Sequence, residues 1–297
     1  MSASSAPVLV TLYLMTEKGY RVLRHIVEHL DKSGVALVVS EPDPGLTHDY
    51  FDEIKALCAE YGIPFLRRAA PLPVATPYSL AVSWRWLIAT ESRLVVLHDS
   101  LLPRYRGFAP LVSCLTNGEE TIGVTALYAS PEFDQGDVLL QAARPIRYPI
   151  KIAQAIALAI ECYLDIVSRL WPGLQTGQPL PATPQQESAA SYSLWRDEQD
   201  YRIDWAEDSQ TIRRFIDAVG EPYRGASTLI NGRLHRVLEA EVEPDVVIEN
   251  RTAGKVLFLR DQAPVVVCGT GLLRLTDLRT EEGSSALPLR QFRSRFT

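Results

Sequence analysis

The first hundred residues alternate β-branched runs with amphipathic segments of helical length, and this alternation strongly constrains the fold. The runs VALVVS (35–40) and RLVVLH (93–98) are apolar at nearly every position, as strands buried on both faces are. Segments with helical spacing lie among them, for example DYFDEIKALCAEYG (49–62), which ends on a glycine. Strands joined by helices form βαβ crossovers, so the sequence predicts an α/β fold with a doubly wound, mostly parallel sheet.

The pattern changes in the last third of the chain. A segment rich in Pro, Gly, Gln and Ser (171–193) is followed by a helical stretch and then by short apolar runs bounded by Gly, Asn-Gly and Asp. These runs predict a small β-rich, barrel-like domain. Because 297 residues suffice for two domains, we place an α/β domain at 1–175, a linker at 176–199 and the C-terminal domain at 200–297.

Composition narrows the class of protein. The chain has 46% hydrophobic and 22% charged residues, which is typical of a globular protein, and its net charge of −6 does not favour a polyanionic partner. Its four cysteines form no CxxC pair, so we expect buried thiols in a reducing compartment and no zinc ribbon. The N-terminal apolar stretch is short and follows no basic segment, so we expect no membrane span and a cytoplasmic location.

Two polar turns lie where parallel strands are predicted to end. His98 closes RLVVLH, and Asp134 lies in the later turn FDQGDVLL (133–140). Ligands bind outside the carboxyl ends of strands in open α/β sheets. Histidine titrates near neutrality, and a neighbouring carboxylate can fix its tautomer or stabilise its cation. Taken alone, however, one histidine and one DQG turn are equally typical of structural residues.

The other four histidines are predicted to be structural. His25 and His29 lie four apart on a predicted helix, but no third ligand follows them, and His48 and His235 lie in polar contexts. We therefore expect no metal site.

Three separated motifs carry a resemblance to a known family. The segments LHDSLLPRYRGFAPL (97–111), GVT (123–125) and DQG (134–136) resemble, in order and spacing, the core of the folate-dependent formyltransferases. In the C-terminal part, RIDW (202–205) and EPYRGA (221–226) are similar to the second-domain signature of methionyl-tRNA formyltransferases and bacterial sugar N-formyltransferases. The resemblance covers nearly the whole chain and makes 1–175 the catalytic domain. It implies a Rossmann-like formyltransferase fold, N10-formyltetrahydrofolate as cosubstrate and a primary amine as acceptor.

The resemblance also implies site residues. It places the catalytic pair at His98 and Asp134, with proton removal from the amine, proton delivery to N10 and orientation of His98 by Asp134 as the expected roles. The implied folate-binding residues are Trp84, Arg85, Leu102, Pro103 and Glu132. The implied substrate-binding residues are Ser100, Arg104 and Arg106, the two arginines being suited to a diphosphate. Core packing is the alternative for Trp84.

One position departs from the family pattern. Relatives carry an asparagine two residues before the histidine, where its amide stabilises the oxyanion of the tetrahedral intermediate, and this chain has Val96. Loss of one such donor costs about 2.7 to 4 kcal/mol. Either a backbone amide, a water molecule or protonated His98 takes its place, or the protein is a poor catalyst.

The charge balance bears on the identity of the amine. From residue 200 onward, 14 Lys and Arg stand against 15 Asp and Glu, whereas a tRNA-binding domain should show a basic face. The segment RQFRSRF (290–296) is interpreted as a solvated tail. We therefore expect a small amine, foremost a nucleotide-linked amino sugar. The alternatives are a methionyl-tRNA formyltransferase and a folate-binding homologue impaired by Val96. The resemblance to sugar enzymes also implies a homodimer.

Overall fold

The computed structural model describes residues 8–68 and 75–297, and the chain divides into two compact units. The first unit comprises Met1–Pro110, Thr121–Pro145 and Ile156–Ser193, and the second comprises Leu111–Glu120, Ile146–Ala155 and Leu194–Thr297. Each unit thus combines segments that are not contiguous in sequence. The apolar run APVLVTLYL (6–14) predicts a first strand, and the first two residues of that run lie outside the described residues.

The first unit is built on a seven-stranded sheet. Its strands, with the two-residue strands β6 and β9, are β1 Val10–Leu14, β2 Val35–Ser40, β3 Phe65–Arg67, β4 Tyr78–Val82, β5 Arg93–His98, β6 Arg106–Gly107, β7 Thr121–Tyr128, β8 Val138–Pro145 and β9 Tyr192–Ser193. The order is β3-β2-β1-β4-β5-β7-β8, in which β1 to β5 pair in parallel and β7 and β8 are antiparallel. The prediction of a doubly wound, mostly parallel sheet is confirmed.

The helices are α1 Thr16–His29, α2 Phe51–Tyr61, α3 Pro110–Thr116, α4 Ile152–Leu174 and α5 Ser209–Ala218. Helix α2 ends where the sequence indicates, because Gly62 adopts φ +68°, a left-handed conformation that suits glycine. The segment GYRVLRHIVEHLDKSG (19–34) has helical spacing and predicts a helix that ends at Gly34, but α1 ends at His29. The Asp31 carboxylate accepts a hydrogen bond from the Ser33 N–H and stabilises a short 3-10 turn in place of further α-helix.

Strands β1 and β4 are buried at every position, as their apolar runs indicate. Across the whole chain all four cysteines, Cys58, Cys114, Cys162 and Cys268, are buried free thiols, which confirms the prediction of buried thiols. Burial raises the pKa of Cys58 to about 12, so this thiol stays protonated. Within residues 8–68 and 75–297, no helix is long and apolar enough to cross a membrane.

The second unit carries an antiparallel sheet with the order β10-β11-β14-β13-β12. These strands are β10 Ala226–Ile230, β11 Arg233–Glu243, β12 Val256–Arg260, β13 Ala263–Val267 and β14 Leu272–Thr280. The end of the chain bridges both edges of this sheet, because Phe296 pairs with Ile230 and Arg295 pairs with Lys255. The predicted barrel-like domain is confirmed, whereas the predicted solvated tail is only partly exposed: its arginines are exposed, but Ser294 and Phe296 are buried. Phe296 is only 1% exposed, and its ring lies 5.5 Å from that of Trp205.

Candidate active site

His98 is the last residue of β5, and its side chain is 7% exposed. Its Nε2 lies 2.8 Å from the Tyr105 carbonyl oxygen, and its Nδ1 lies 3.5 Å from Asp134 Oδ2. A carbonyl oxygen only accepts hydrogen bonds, so Nε2 carries the hydrogen and Nδ1 of the neutral ring holds the lone pair. The structure therefore brings together the histidine and the aspartate from the two polar turns.

Asp134 lies in the turn between β7 and β8 with φ +56°, a left-handed conformation that costs a non-glycine residue about 1 to 3 kcal/mol. Its Oδ2 accepts a 2.8 Å hydrogen bond from the N–H of Gly107. Gly136 completes the turn, and a Cβ there would lie 1.7 Å from the Tyr128 carbonyl oxygen. The DQG motif thus holds Asp134 in a strained backbone conformation that places its carboxylate beside His98.

Thr125 holds the loop that follows His98. It is fully buried on β7 directly opposite His98, and its hydroxyl donates to the Ser100 carbonyl oxygen at 2.6 Å and accepts from the Leu102 N–H at 3.0 Å. The side chain of Gln141, on β8, bonds the same hydroxyl at 2.9 Å. Sequence analysis includes Thr125 in the GVT motif without a role and missed Gln141, because the pairing of β5 with β7 that places Thr125 opposite His98 is not readable from local pattern.

Two of the three predicted substrate-binding residues are buried. Ser100 is 1% exposed, and its hydroxyl donates to the Arg104 carbonyl oxygen at 2.7 Å. Arg106 is also 1% exposed, and its guanidinium donates to Gln185 and Glu187. Neither side chain faces solvent in this structure, and both make contacts within the loops of the first unit. Arg104 is exposed, with its guanidinium 5.0 Å from the centre of the Tyr105 ring.

A segment inside the region predicted as a linker packs against these loops, and we call residues 183–193 the strap. Its strand β9 pairs in parallel with β6, and Ser191 Oγ accepts a 2.9 Å hydrogen bond from the Tyr105 N–H. Thr183 forms a bridge with Val138 at the start of β8. The strap therefore contacts both the loop after His98 and the turn that carries Asp134. Its Pro-rich and Ser-rich composition gives no sign of these long-range hydrogen bonds.

The predicted folate-binding residues Trp84 and Arg85 contact other parts of the first unit. The Trp84 ring packs edge-on against Tyr13 at 5.1 Å, in agreement with the core-packing alternative. Its buried Nε1–H has no hydrogen-bond partner among the residues that the structure describes. Arg85 is half exposed, and its Nη1 lies 2.5 Å from Asp43 Oδ1.

The other three predicted folate-binding residues lie on the two loops of the site. Leu102 is 5% exposed, and its carbonyl oxygen accepts a 2.9 Å hydrogen bond from Gln141 Nε2. The Pro103 carbonyl oxygen accepts from the Ser191 N–H at 3.2 Å. Glu132 is exposed in the turn before Asp134. Leu102 and Pro103 thus lie in the loop that follows His98, and Glu132 lies in the turn that carries Asp134.

Two exposed aromatic side chains flank the pair. The hydrogen bond between Gly107 and Asp134 brings the next residue of one loop, Phe108, close to the preceding residue of the other, Phe133. Their ring centres lie 5.7 Å apart, and the residues are 44% and 56% exposed. Sequence analysis gave neither ring a role of its own, although both lie in the quoted segments 97–111 and 133–140.

The carboxylate next to His98 is neutralised inside the first unit. Asp99 forms an ion pair with Lys18, whose side chain is 9% exposed, and accepts a 2.8 Å hydrogen bond from the Tyr163 hydroxyl. Burial, and then the Asp99 charge, raise the pKa of Tyr163 well above its ordinary value, so its hydroxyl remains a donor. Asp99 therefore adds little unbalanced negative charge beside His98.

Two of the other histidines have ordinary polar partners. His25 Nε2 lies 2.7 Å from Ser168 Oγ, and His48 Nε2 lies 2.5 Å from Glu53 Oε1. In the described part of the chain, no three His, Cys, Asp or Glu side chains are grouped so that they could hold a metal ion.

The chain is similar to curated methionyl-tRNA formyltransferases. The enzyme of Dechloromonas aromatica is 27% identical over 276 residues, which cover 87% of this chain and 87% of the relative. The enzyme of Geobacter sulfurreducens is 29% identical over 300 residues, with 92% of this chain and 89% of the relative covered.

Solved structures share the fold at lower identity. An N-formyltransferase of Helicobacter canadensis in complex with folinic acid and dTDP-3-aminofucose has a TM-score of 0.68 at 14% identity, covering 90% of this chain and 98% of that one. HypX of Aquifex aeolicus in complex with tetrahydrofolic acid has a TM-score of 0.64 at 22% identity, covering 97% of this chain and 48% of that one.

Two family models match the chain in sequence order. The model described as formyl transferase matches residues 59–152, which contain the loop after His98 and the turn of Asp134. The model described as formyl transferase, C-terminal domain, matches residues 196–296. Together they account for more than half of the sequence, and the chain therefore belongs to the formyl transferase family.

Proposed function

We propose that this formyltransferase transfers a formyl group from N10-formyltetrahydrofolate to the primary amine of a small substrate, foremost a nucleotide-linked amino sugar. The observation that carries this proposal is the 3.5 Å contact between His98 Nδ1 and Asp134 Oδ2 at the carboxyl end of β5. In such a transfer the attacking amine loses a proton and N10 of the departing folate gains one. A histidine with a carboxylate partner is suited to both proton movements.

His98 is the residue that moves the proton. In the neutral ring Nε2–H donates to the Tyr105 carbonyl oxygen, so the Nδ1 lone pair accepts the proton that the amine loses. The ring becomes a cation whose Nδ1–H faces Asp134 Oδ2, and that carboxylate stabilises the cation and fixes the ring orientation. Return of the proton to the leaving nitrogen restores the neutral ring.

Cationic His98 also stabilises the negative charge that develops on the formyl oxygen. The side chain of Val96 packs against the core of the sheet and has no donor to offer. Both ring nitrogens of His98 face acceptors, so the ring that has taken the amine proton stabilises the oxyanion through its positive charge rather than through a direct hydrogen bond. This supports protonated His98, among the three substitutes considered, as the replacement for the family asparagine.

The two loops of the site and the segment around Trp84 form the folate pocket in this proposal. Leu102 and Pro103 lie on one loop and Glu132 on the other, and Arg85 follows Trp84 in the chain. The buried Trp84 N–H without a partner among the described residues supports a ligand acceptor at that position, since an unpaired buried donor costs about 1 to 3 kcal/mol. A pterin ring presents such acceptors together with a flat apolar face.

Exposed groups beside the pair are proposed to contact the acceptor. Phe108 and Phe133 offer aromatic faces on which the C–H face of a sugar ring packs, and Arg104 offers a cation to a diphosphate. The dTDP-3-aminofucose of the Helicobacter canadensis structure has this chemistry, with an amino sugar linked to a nucleotide.

The second candidate is methionyl-tRNA formylation, which the curated relatives favour. Ion pairing in the second unit opposes it, because many of its arginines already have carboxylate partners and are less available to phosphates. These pairs are Arg213–Asp217, Arg236–Glu198, Arg251–Asp245, Arg260–Glu243 and Arg274–Glu241. Together with the balanced charge beyond residue 200, they support a small acceptor.

A turnover assay tests the proposal. Conversion of N10-formyltetrahydrofolate to tetrahydrofolate is followed with a panel of nucleotide-linked amino sugars and with methionyl-tRNA. Turnover with one sugar supports the proposal, whereas formylation of tRNA that falls steeply with salt establishes the second candidate. Saturable folate binding with no turnover on any acceptor would instead favour a folate-binding homologue impaired by Val96.

A further inference from the structure

We infer that Gln185, in the strap, is a positioning residue for the catalytic pair, an inference that rests on the proposed roles of His98 and Asp134. Gln185 Nε2 donates to the Asp134 carbonyl oxygen at 2.7 Å and to the Gly136 carbonyl oxygen at 2.8 Å. One side-chain amide therefore holds the backbone on both sides of Gln135, in the turn where Asp134 adopts its left-handed conformation. Gln185 touches this turn rather than the reacting atoms.

The orientation of this amide is fixed by a buried cation. Gln185 Oε1 accepts from Arg106 Nε at 3.1 Å and from Nη2 at 3.0 Å. A guanidinium only donates hydrogen bonds, so the oxygen of the amide must face Arg106 and the nitrogen must face the two carbonyl oxygens. Arg106 is itself buried and paired with Glu187 of the strap.

Gln185 thus joins the two loops that carry the pair. On one side it binds Arg106, next to Gly107, whose N–H holds Asp134 Oδ2. On the other side it binds the backbone of Asp134 itself. Loss of the two N–H donors frees the turn to leave its strained conformation, and the carboxylate then moves away from His98 Nδ1. Catalysis depends directly on this separation, whereas the proposed binding residues Glu132 and Phe133 precede the two carbonyl groups that Gln185 holds, so binding should change less.

Gln185→Glu is the sharpest variant. It keeps an oxygen toward Arg106, so the strap stays attached, but it replaces the two donors by a carboxylate oxygen that repels both carbonyl oxygens. Gln186→Glu is the matched control, because it makes the same change in charge at the adjacent, exposed position. Gln185→Met, of similar length and without charge, serves if Gln185→Glu fails to fold, as judged by its melting temperature.

We expect kcat of Gln185→Glu to fall about 100-fold, as a misplacement of about 1 Å does, with KM for donor and amine changed less than threefold. The imidazole 15N resonances of His98, assigned with the His98→Asn variant, should shift in Gln185→Glu and not in Gln186→Glu. Wild-type kcat together with unshifted His98 resonances in a folded Gln185 variant would overturn the inference. Failure of the proposed function is a separate result, namely no formyl transfer by the wild-type protein, and the resonances then still test the positioning role.

Discussion

The Gly107 N–H and the Asp134 carboxylate form a 2.8 Å hydrogen bond that joins two loops 27 residues apart in sequence. The same oxygen, Oδ2, lies 3.5 Å from His98 Nδ1. One carboxylate oxygen therefore ties the loop after β5 to the turn after β7 and also faces the ring that is proposed to move the proton.

His98→Asn should abolish most of the formyl transfer. Asparagine keeps a polar group at the end of β5 but neither accepts nor returns a proton near neutral pH, so we expect kcat to fall about 10²- to 10⁴-fold. The measurement is folate turnover with a responsive amine. His29→Asn is the control, because that histidine side chain is 62% exposed. Near wild-type turnover in His98→Asn would remove this residue from the mechanism.

Asp134→Asn removes the negative charge of the side chain while keeping its shape. Its side-chain oxygen still accepts from the Gly107 N–H, but the neutral amide no longer stabilises the cationic ring of His98. We expect kcat to fall by at least about 100-fold while the melting temperature stays within a few degrees. An equal loss of rate and of folded protein would instead indicate that Asp134 serves the fold alone.

Gly107→Ala should lower both stability and rate. Gly107 has φ +96°, and an added Cβ would lie 2.6 Å from the Ser193 carbonyl oxygen, so the strap and the loop must separate. Gly283→Ala isolates the backbone effect, because Gly283 has φ +86° with no atom within 4 Å of its Cβ position. We expect Gly283→Ala to cost about 1 kcal/mol in urea unfolding and Gly107→Ala to cost more. Equal losses of stability in the two variants would contradict the close contact between Gly107 and the Ser193 carbonyl oxygen.

Phe108→Ala and Phe133→Ala should weaken binding of the acceptor. Burial of a phenylalanine face by a ligand stabilises the complex by about 1.5 to 3 kcal/mol, so we expect KM for the amine to rise about 10-fold or more. KM for the folate donor should be unchanged. Phe292→Ala is the control, since Phe292 is also half exposed but lies in the second unit. A rise confined to KM for the donor would assign the two rings to the folate pocket instead.

The Asp208 carboxylate should stabilise the second unit in a pH-dependent manner. It caps α5 by accepting from the N–H groups of Gln210 and Thr211, and hydrogen bonding from Thr211 is the largest cause of its lowered pKa. Asp208→Ala should therefore cost about 1 kcal/mol in urea unfolding at pH 7.

The sign of the pH effect follows from the lowered pKa of Asp208. A carboxylate whose pKa is lower in the folded state contributes fully above its unfolded pKa of about 3.9 and loses that contribution as pH falls through the folded pKa. The advantage of the wild type over Asp208→Asn should accordingly shrink in acid. A stability difference between the wild type and Asp208→Asn that does not change with pH would contradict a contribution of the Asp208 charge to the helix cap.

Much of the fold was readable because it depends on local periodicity. The run RLVVLH is β5 residue for residue, and the β-branched pattern of VALVVS likewise gives β2. The end of α2 at Gly62 was predictable because it depends on the backbone conformation of that one glycine, which adopts a left-handed φ. His98 and Asp134 were identified by the order and spacing of the motifs. His98 closes β5 and Asp134 lies in the turn after β7, as the strand pattern predicts.

Tertiary structure decided what each side chain of these motifs contacts. Arg106 was expected to meet a substrate phosphate, yet its guanidinium is buried against Gln185 and Glu187, about eighty residues away in sequence. The tail was expected to be solvated, yet Phe296 is buried between the edges of the C-terminal sheet. Hydrophobic periodicity and turn residues act over a few positions, and the sequence by itself therefore determined the strands, the helices and the location of the loops that carry His98 and Asp134. Hydrogen bonds between distant segments depend on which loops the folded sheet brings together, and for that reason only the tertiary structure assigned the strap and the partners of His98 and Asp134.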